Sequence, residues 1–100
     1  MRRKVIILDP AEQDIKEAIE YYNSHSRKAK DDFLFVLDVT FSLIGDTPEA
    51  FPFSYNPVRK CVVEKFPFVI HYFEEKETIY VLAVFHDKRN PGNLKKRFKV

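Results

Sequence analysis

The residues with the clearest capacity for chemistry follow a long apolar run. Residues 81–86 have the sequence VLAVFH and continue directly into Asp87, Lys88 and Arg89. A histidine can serve as general acid or base near neutral pH, and an arginine can bind phosphate through two parallel hydrogen bonds. The same residue types also end ordinary strands in water. The stretch is therefore an active site, a docking surface or a solvated strand end.

Positive charge is concentrated towards the C-terminus. Residues 1–50 carry 7 basic and 10 acidic side chains, whereas residues 51–100 carry 10 and 5. A one-sided charge excess attracts partners of opposite charge, but it also serves solubility alone. An anionic partner and a merely solvated tail are thus alternatives for the basic residues that follow Asp87, namely Lys88, Arg89, Lys95, Lys96, Arg97 and Lys99.

The N-terminal half predicts a strand and two helices. A β-branched run at residues 4–8 predicts the strand, and Asp9 and Pro10 have the residue types of a helix cap and a first helical position. Apolar residues then recur at helical spacing as far as Asn23, and the charged residues, including Asp14, are assigned mostly to the solvent side. The buried stripe comprises Ala11, Ile15, Ala18, Ile19 and Tyr22.

The second helix is predicted over residues 27–44, with Ser26 as its N-cap. Leu34, Phe35 and Val39 lie outside its main apolar stripe, as does Leu43, so the apolar surface is wider than one packing face requires. Such a helix has more than one partner. Besides the sheet, the partner is either the first helix or another protein chain.

The C-terminal half predicts three strands, at residues 59–65, 68–73 and 78–85, with short links that imply antiparallel pairing. Residues 46–57 are rich in proline and polar residues and predict a loop whose aromatic rings fill the base of the core. The expected fold is α+β: a strand, an antiparallel helix hairpin and a three-strand antiparallel meander, with both helices on one face of the sheet.

Side-chain alternation along these strands leaves a second sheet face uncovered. Cys61 and Val63 share one face of their strand, and the opposite face receives Lys60 and Glu64, with His71 on the next strand. These three residues are therefore expected on an open face that another molecule can reach.

Length and composition exclude several classes. A chain of 100 residues is expected to form one domain over residues 1–100. The single cysteine, Cys61, cannot form an internal disulfide, and no segment has the roughly 20 apolar residues of a membrane helix, so a cytoplasmic location is expected. The three histidines are scattered without a closely spaced pair, so we expect neither a metal nor a cofactor.

The order of elements and the C-terminal pattern resemble the RelE/ParE superfamily of toxins from bacterial type II toxin–antitoxin modules, which act in plasmid stabilisation. The pattern consists of Arg59, then Pro67 and Phe68 with Ile70 and Tyr72, then VLAVFH with Arg89 three residues after His86. The resemblance implies a growth-inhibiting toxin that a cognate antitoxin holds inactive. It also implies antitoxin contacts for Leu34, Phe35 and Val39.

The superfamily divides between ribosome-dependent mRNA endonucleases and proteins that poison DNA gyrase. Metal-independent RNA cleavage needs a base, an acid and several cations. The catalytic candidates for that branch are His86, Lys60, Glu64 and His71, although Val62 and Val69 occupy positions where further cations are expected.

Those valines and the HxxR ending resemble the gyrase-poisoning, ParE-like branch more closely. In that branch the protein is a binding protein, and the residues expected to meet its target or a phosphate are Arg59, Lys88, Arg89, Lys95, Lys96 and Arg97. A nucleic-acid-binding module without toxicity remains a further alternative.

Overall fold

The computed structural model describes residues 2–90 and 92–98. Lys99, one of the basic residues that follow Asp87 in the sequence, lies outside the described residues. The elements in chain order are β1 (Lys4–Ile7), α1 (Asp9–His25), α2 (Arg27–Asp46), β2 (Phe53–Tyr55), β3 (Val58–Val63), β4 (Phe68–Glu75), β5 (Thr78–His86) and α3 (Gly92–Phe98), with one 3-10 turn at Pro48–Ala50.

The described strands form one five-stranded sheet in the order β1-β5-β4-β3-β2. β1 pairs in parallel with β5, and every other neighbouring pair is antiparallel. The link from β4 to β5 consists of Lys76 and Glu77, both with positive φ (51° and 64°), as a type I′ hairpin turn requires. The predicted α+β fold and its meander are therefore confirmed.

Ser26 is the only residue between α1 and α2, so the two helices form a tight hairpin. Its backbone N–H bonds the carbonyl of Tyr22, and its Oγ accepts a hydrogen bond from the N–H of Ala29 at 3.0 Å, which confirms it as the α2 cap. Both helices pack on one sheet face over a shared core. Its largest buried side chains include Phe33, Ile44, Ile70, Tyr72 and Ile79.

None of the helices formed by residues 9–25, 27–46 and 92–98 is long and apolar enough to cross a membrane.

Two local predictions are wrong. The N-cap of α1 is Leu8, so Asp9 already lies inside the helix and does not cap it. Its negative charge instead interacts favourably with the positive, N-terminal end of the helix dipole. Residues 53–55, predicted as loop, form β2 because the chain turns back and pairs with β3. Of the aromatic rings in this segment, Phe51 and Tyr55 pack against the core, but 43% of Phe53 is exposed.

The second sheet face is not left open along its whole length, as the alternation pattern predicts. α3 folds back onto it and buries Leu94 against Leu82 and Phe85. Phe98 extends this contact, with its ring centroid 5.0 Å from that of Phe73. A seven-residue helix is marginal alone, and this apolar contact stabilises it.

Asp14 is buried, although the residue pattern predicts it on the solvent side of α1. β1 ends at Ile7, opposite Val81, so the edge of β5 beyond that point has no strand beside it. Asp14 accepts the Val84 N–H there at 3.0 Å. It also receives two hydrogen bonds from Arg97 of α3, at 2.5 and 3.0 Å.

Removal of Arg97 tests this connection. Arg97→Ala leaves a buried carboxylate without its main cation, so we expect the free energy of unfolding to fall by about 3 kcal/mol, measured by urea denaturation. The matched control is Lys96→Ala on the exposed side of the same helix, with an expected change within about 0.5 kcal/mol. Equal losses in the two variants would show that the Asp14–Arg97 pair does not hold the sheet edge.

Candidate functional site

A cleft of about 510 Å³ lies between α3 and the sheet, and we call it the α3 cleft. Its basic side chains come from three elements: Lys60 from β3, Arg89 from the segment after β5, and Lys95 from α3. The remaining lining residues are Ser54, Tyr55, Val69, His71, Phe85, His86, Asp87, Gly92 and Leu94. The fold therefore brings together Lys60, His71 and His86, the histidines and lysine that the sequence predicts as catalytic candidates.

Glu64, the fourth candidate, does not join them. It lies exposed in the turn after β3 and is not among the residues that line the cleft. The strand ends two residues earlier than predicted, at Val63, because the chain turns at 64–67 to begin β4. A carboxylate at this position is not placed to exchange protons with a ligand in the cleft.

His71 is a constrained and uncharged side chain. Its Nδ1 lies 2.7 Å from the Ser54 Oγ, and its cross-strand neighbour on β3 is Lys60. Burial, with a further contribution from the positive charge of Lys60, lowers the pKa of His71 to about 4. General acid–base catalysis works best with a pKa near the working pH, so this imidazole is poorly matched to proton transfer at neutral pH.

His86 lies at the rim, with about half of its side chain exposed (48%). Its Nδ1 is 3.2 Å from the backbone N of Lys88 and 3.2 Å from Asp87 Oδ1. The ring also packs edge-on against Phe68, at a centroid distance of 5.7 Å. The next two residues, Asp87 and Lys88, therefore hold one ring nitrogen in place, and about half of the side chain stays accessible.

Arg89 is held at the mouth of the cleft by two contacts. Its guanidinium lies 4.1 Å above the centre of the Phe85 ring, and its Nη1 is 3.9 Å from Asp14 Oδ1. Forty per cent of the side chain is nevertheless exposed. His86 and Arg89 also border a second cavity of about 480 Å³, between α1 and the ends of β4 and β5, which we call the α1 groove. The charged strand end is thus a rim between two cavities.

The other predicted cations are divided between structural and exposed positions. Arg59 donates to the carbonyl of Phe51 at 2.6 Å and stacks over the Phe53 ring, and Arg97 pairs with Asp14. Lys88 and Lys96 are exposed but are not among the cleft-lining residues. Of the predicted phosphate-binding residues, the fold brings Arg89 and Lys95 to the cleft.

The α2 residues predicted to contact a second chain are exposed. The exposed fraction is 38% for Leu34, 71% for Phe35 and 42% for Val39. Leu43, at 50%, extends the row, because Phe35, Val39 and Leu43 follow one another at four-residue spacing. We call these four residues the α2 stripe. It lies on the helix layer, whereas the α3 cleft lies on the opposite sheet face.

Cys61 is buried beneath the helices, and burial raises the pKa of its thiol to about 11. The reactive thiolate is therefore scarce at neutral pH, which fits a structural thiol better than a nucleophile.

Comparison with known families decides the family of the chain. A family model described as "ParE toxin of type II toxin-antitoxin system, parDE" matches residues 5–91. The chain belongs to the ParE toxin family. This result confirms the resemblance to the RelE/ParE superfamily and its ParE-like branch. A comparison with curated proteins finds no match.

The ParE-family fold is also supported by a solved structure. The chain is similar to one described as "Chromosomal ParDE TA system from P. aeruginosa", with a TM-score of 0.74 and 12% sequence identity. The similarity covers 85% of this chain and 96% of the other. At that identity the similarity concerns the fold alone.

Asp14 and Ser54 also shape the site of this ParE-family chain, although neither is predicted as a site residue from the sequence. A signal for Asp14 was present, because position 14 lies three residues after Ala11 and four before Ala18, within the buried stripe of α1. Ser54 gave no comparable signal, since its contact with His71 depends on the pairing of β2 with β3.

The lowered pKa of His71 predicts a loss of stability in acid. A pKa of about 4 in the folded state, below the ordinary value of 6.5, means that the stabilisation is complete above about pH 6.5. It is lost as the pH falls towards 4, by up to about 3 kcal/mol. We expect this loss in wild-type protein and in His25→Gln, which changes an exposed histidine, but not in His71→Gln. Parallel unfolding free energies for wild type and His71→Gln from pH 7 to 4 would contradict the assignment.

Proposed function

We propose that this ParE-family protein inhibits growth by binding DNA gyrase and that a cognate antitoxin neutralises it in the cytoplasm. The observation that carries the proposal is the family match over residues 5–91, whose description names a toxin–antitoxin system. The mechanism is one of binding, in which the exposed basic residues near the C-terminus meet an acidic protein surface or the DNA that gyrase holds.

The composition of the α3 cleft favours this function over RNA cleavage. Cleavage without a metal requires a proton acceptor, a proton donor and cations around the phosphate. The pKa of His71 is too low for efficient proton transfer at neutral pH, and Glu64 lies outside the cleft. Val69 is among the lining residues, and Val62 is 66% exposed, at positions where the nuclease branch is expected to carry cations.

The α2 stripe supports the antitoxin part of the proposal. A row of exposed apolar residues along one helix is a common docking surface for an apolar segment of another chain. The chain also has the fold of a protein in a structure entitled a ParDE TA system. We therefore expect the antitoxin to cover Leu34, Phe35 and Val39.

Brief induction of the protein without an antitoxin tests the target. We expect growth arrest with gyrase-linked DNA breaks, and inhibition of DNA supercoiling by gyrase when the purified protein is added. Prompt mRNA cuts at fixed codon positions on ribosomes would instead identify a nuclease. In that outcome, loss of cutting by His86→Ala with retained antitoxin affinity would assign chemistry to His86.

Phe35→Ser tests the antitoxin surface. Loss of a mostly exposed phenyl ring that becomes buried on binding is expected to weaken the complex about tenfold or more, measured by calorimetry with the product of an adjoining open reading frame. Growth inhibition should persist, and co-expression of the antitoxin should no longer relieve it fully. Val62→Ser is the control, because it removes a similarly exposed apolar side chain from the opposite sheet face. Equal effects of the two substitutions would exclude the α2 stripe as the contact.

A further inference from the structure

The α3 cleft places three cations and a histidine from four parts of the chain around one cavity. Lys60 comes from β3, His71 from β4, Arg89 from the segment after β5, and Lys95 from α3. We propose that the α3 cleft binds the phosphate of a nucleotide-sized phosphate ester, either a free nucleotide or one nucleotide within a strand. This goes beyond the proposed function, which requires only that exposed basic residues meet a target.

The charge of the cleft favours an anion. Its described lining contains the cations Lys60, Arg89 and Lys95 and the single carboxylate of Asp87. Asp87 lies 3.2 Å from the His86 ring, so its charge is directed towards the imidazole at the rim. The cleft lining therefore has three cations against one carboxylate, a charge balance that favours an anion.

Arg89 is positioned before any ligand arrives. Stacking on Phe85 and the contact with Asp14 at 3.9 Å restrict the guanidinium, while two fifths of the side chain still faces solvent. A planar guanidinium presents several donors in fixed directions and pairs well with phosphate oxygens. Because the side chain is already restricted, less conformational entropy is lost on binding.

His71 and Lys60 have complementary properties. Lys60 is close enough for its charge to contribute to the lowered pKa of His71, and that histidine stays neutral over the physiological range. Ser54, 2.7 Å from Nδ1, holds the ring in place. The positive charge on this side of the cleft therefore comes from lysine. It stays constant between pH 5 and 8, a range in which a histidine of ordinary pKa would gain or lose its charge.

The shape of the cleft indicates what accompanies the phosphate. At about 510 Å³ the cavity falls in the size range of small-molecule sites and is much larger than one phosphate group. Tyr55 and Val69, which are only partly buried, supply apolar surface next to the cations, whereas Phe85 and Leu94 are already almost fully buried in the fold. A phosphate offers acceptor oxygens in several directions, which suits donors on several walls better than a planar carboxylate does. A nucleotide joins such a phosphate to a flat base whose π face can pack against apolar side chains.

Binding measurements on the purified full chain test the proposal. The probes are inorganic phosphate, adenosine 5′-monophosphate and a fluorescent single-stranded oligothymidylate, at low and physiological salt. Adenosine monophosphate should bind more tightly than phosphate. Lys60→Gln and Lys95→Gln should each weaken the binding of nucleotide or oligonucleotide about fivefold.

The matched control for Lys95 is Lys96→Gln, since both lysines are exposed on α3 and only Lys95 lines the cleft. An unchanged affinity in this variant supports a defined site. Binding of the oligonucleotide without the mononucleotide, with the same difference between Lys95 and Lys96, also supports the site and identifies a strand as the source of the phosphate. Equal losses from Lys95→Gln and Lys96→Gln, or no binding of any probe at millimolar concentration, would overturn the proposal. Circular dichroism confirms that each variant is folded. The gyrase supercoiling assay tests the proposed function independently, so the two proposals can fail separately.

Discussion

The unequal lengths of two neighbouring strands set the constraint on which the rest of the structure depends. β1 has four residues and β5 has nine, so part of the buried β5 edge has no strand partner. Unpaired backbone groups in a buried position are costly. Asp14 takes the Val84 N–H, and Arg97 reaches the Leu82 carbonyl at 3.4 Å while pairing with Asp14. The Asp14–Arg97 ion pair thus supplies hydrogen-bond partners for the backbone at this edge and joins α1 to α3, which lie on opposite sides of the sheet.

The α3 cleft follows from that connection. Arg97 keeps α3 against the second sheet face, where Leu94 and Lys95 become part of the cleft lining. Phe85 contacts the guanidinium groups of both Arg89 and Arg97, at 4.1 and 4.6 Å, so the same ring orders a fold-stabilising arginine and a cleft-lining one. A change in the position of α3 would therefore alter the cleft and the exposed basic surface together.

Local patterns in the sequence were sufficient to predict the helix hairpin, the meander and the α2 stripe. Ser26 has a capping side chain, the meander strands have period-two apolar residues and short links, and Phe35 and Val39 lie outside the main helical stripe. The features that were missed depend on long-range contacts. β2 exists because β3 is beside it, and α3 exists because Leu94 has an apolar surface to cover. Asp14 was missed because a carboxylate on a helix is usually solvated, and its partners, the Val84 N–H and Arg97, come from distant parts of the chain.

Arginine and lysine occupy different kinds of position in this fold because their charged groups differ in chemistry. Arg59 and Arg97 use planar, multidentate guanidinium groups to bind backbone carbonyls, rings and a buried carboxylate. An ammonium group is more strongly hydrated and less suited to such positions, so it remains at the surface, as Lys88, Lys95 and Lys96 do. The described basic residues that follow Asp87 are consequently not one uniform patch. Arg89 and Arg97 fix the geometry of the rim and of α3. Lys88, Lys95 and Lys96 supply the long-range electrostatic attraction, which salt screens over a distance of about 8 Å at physiological ionic strength.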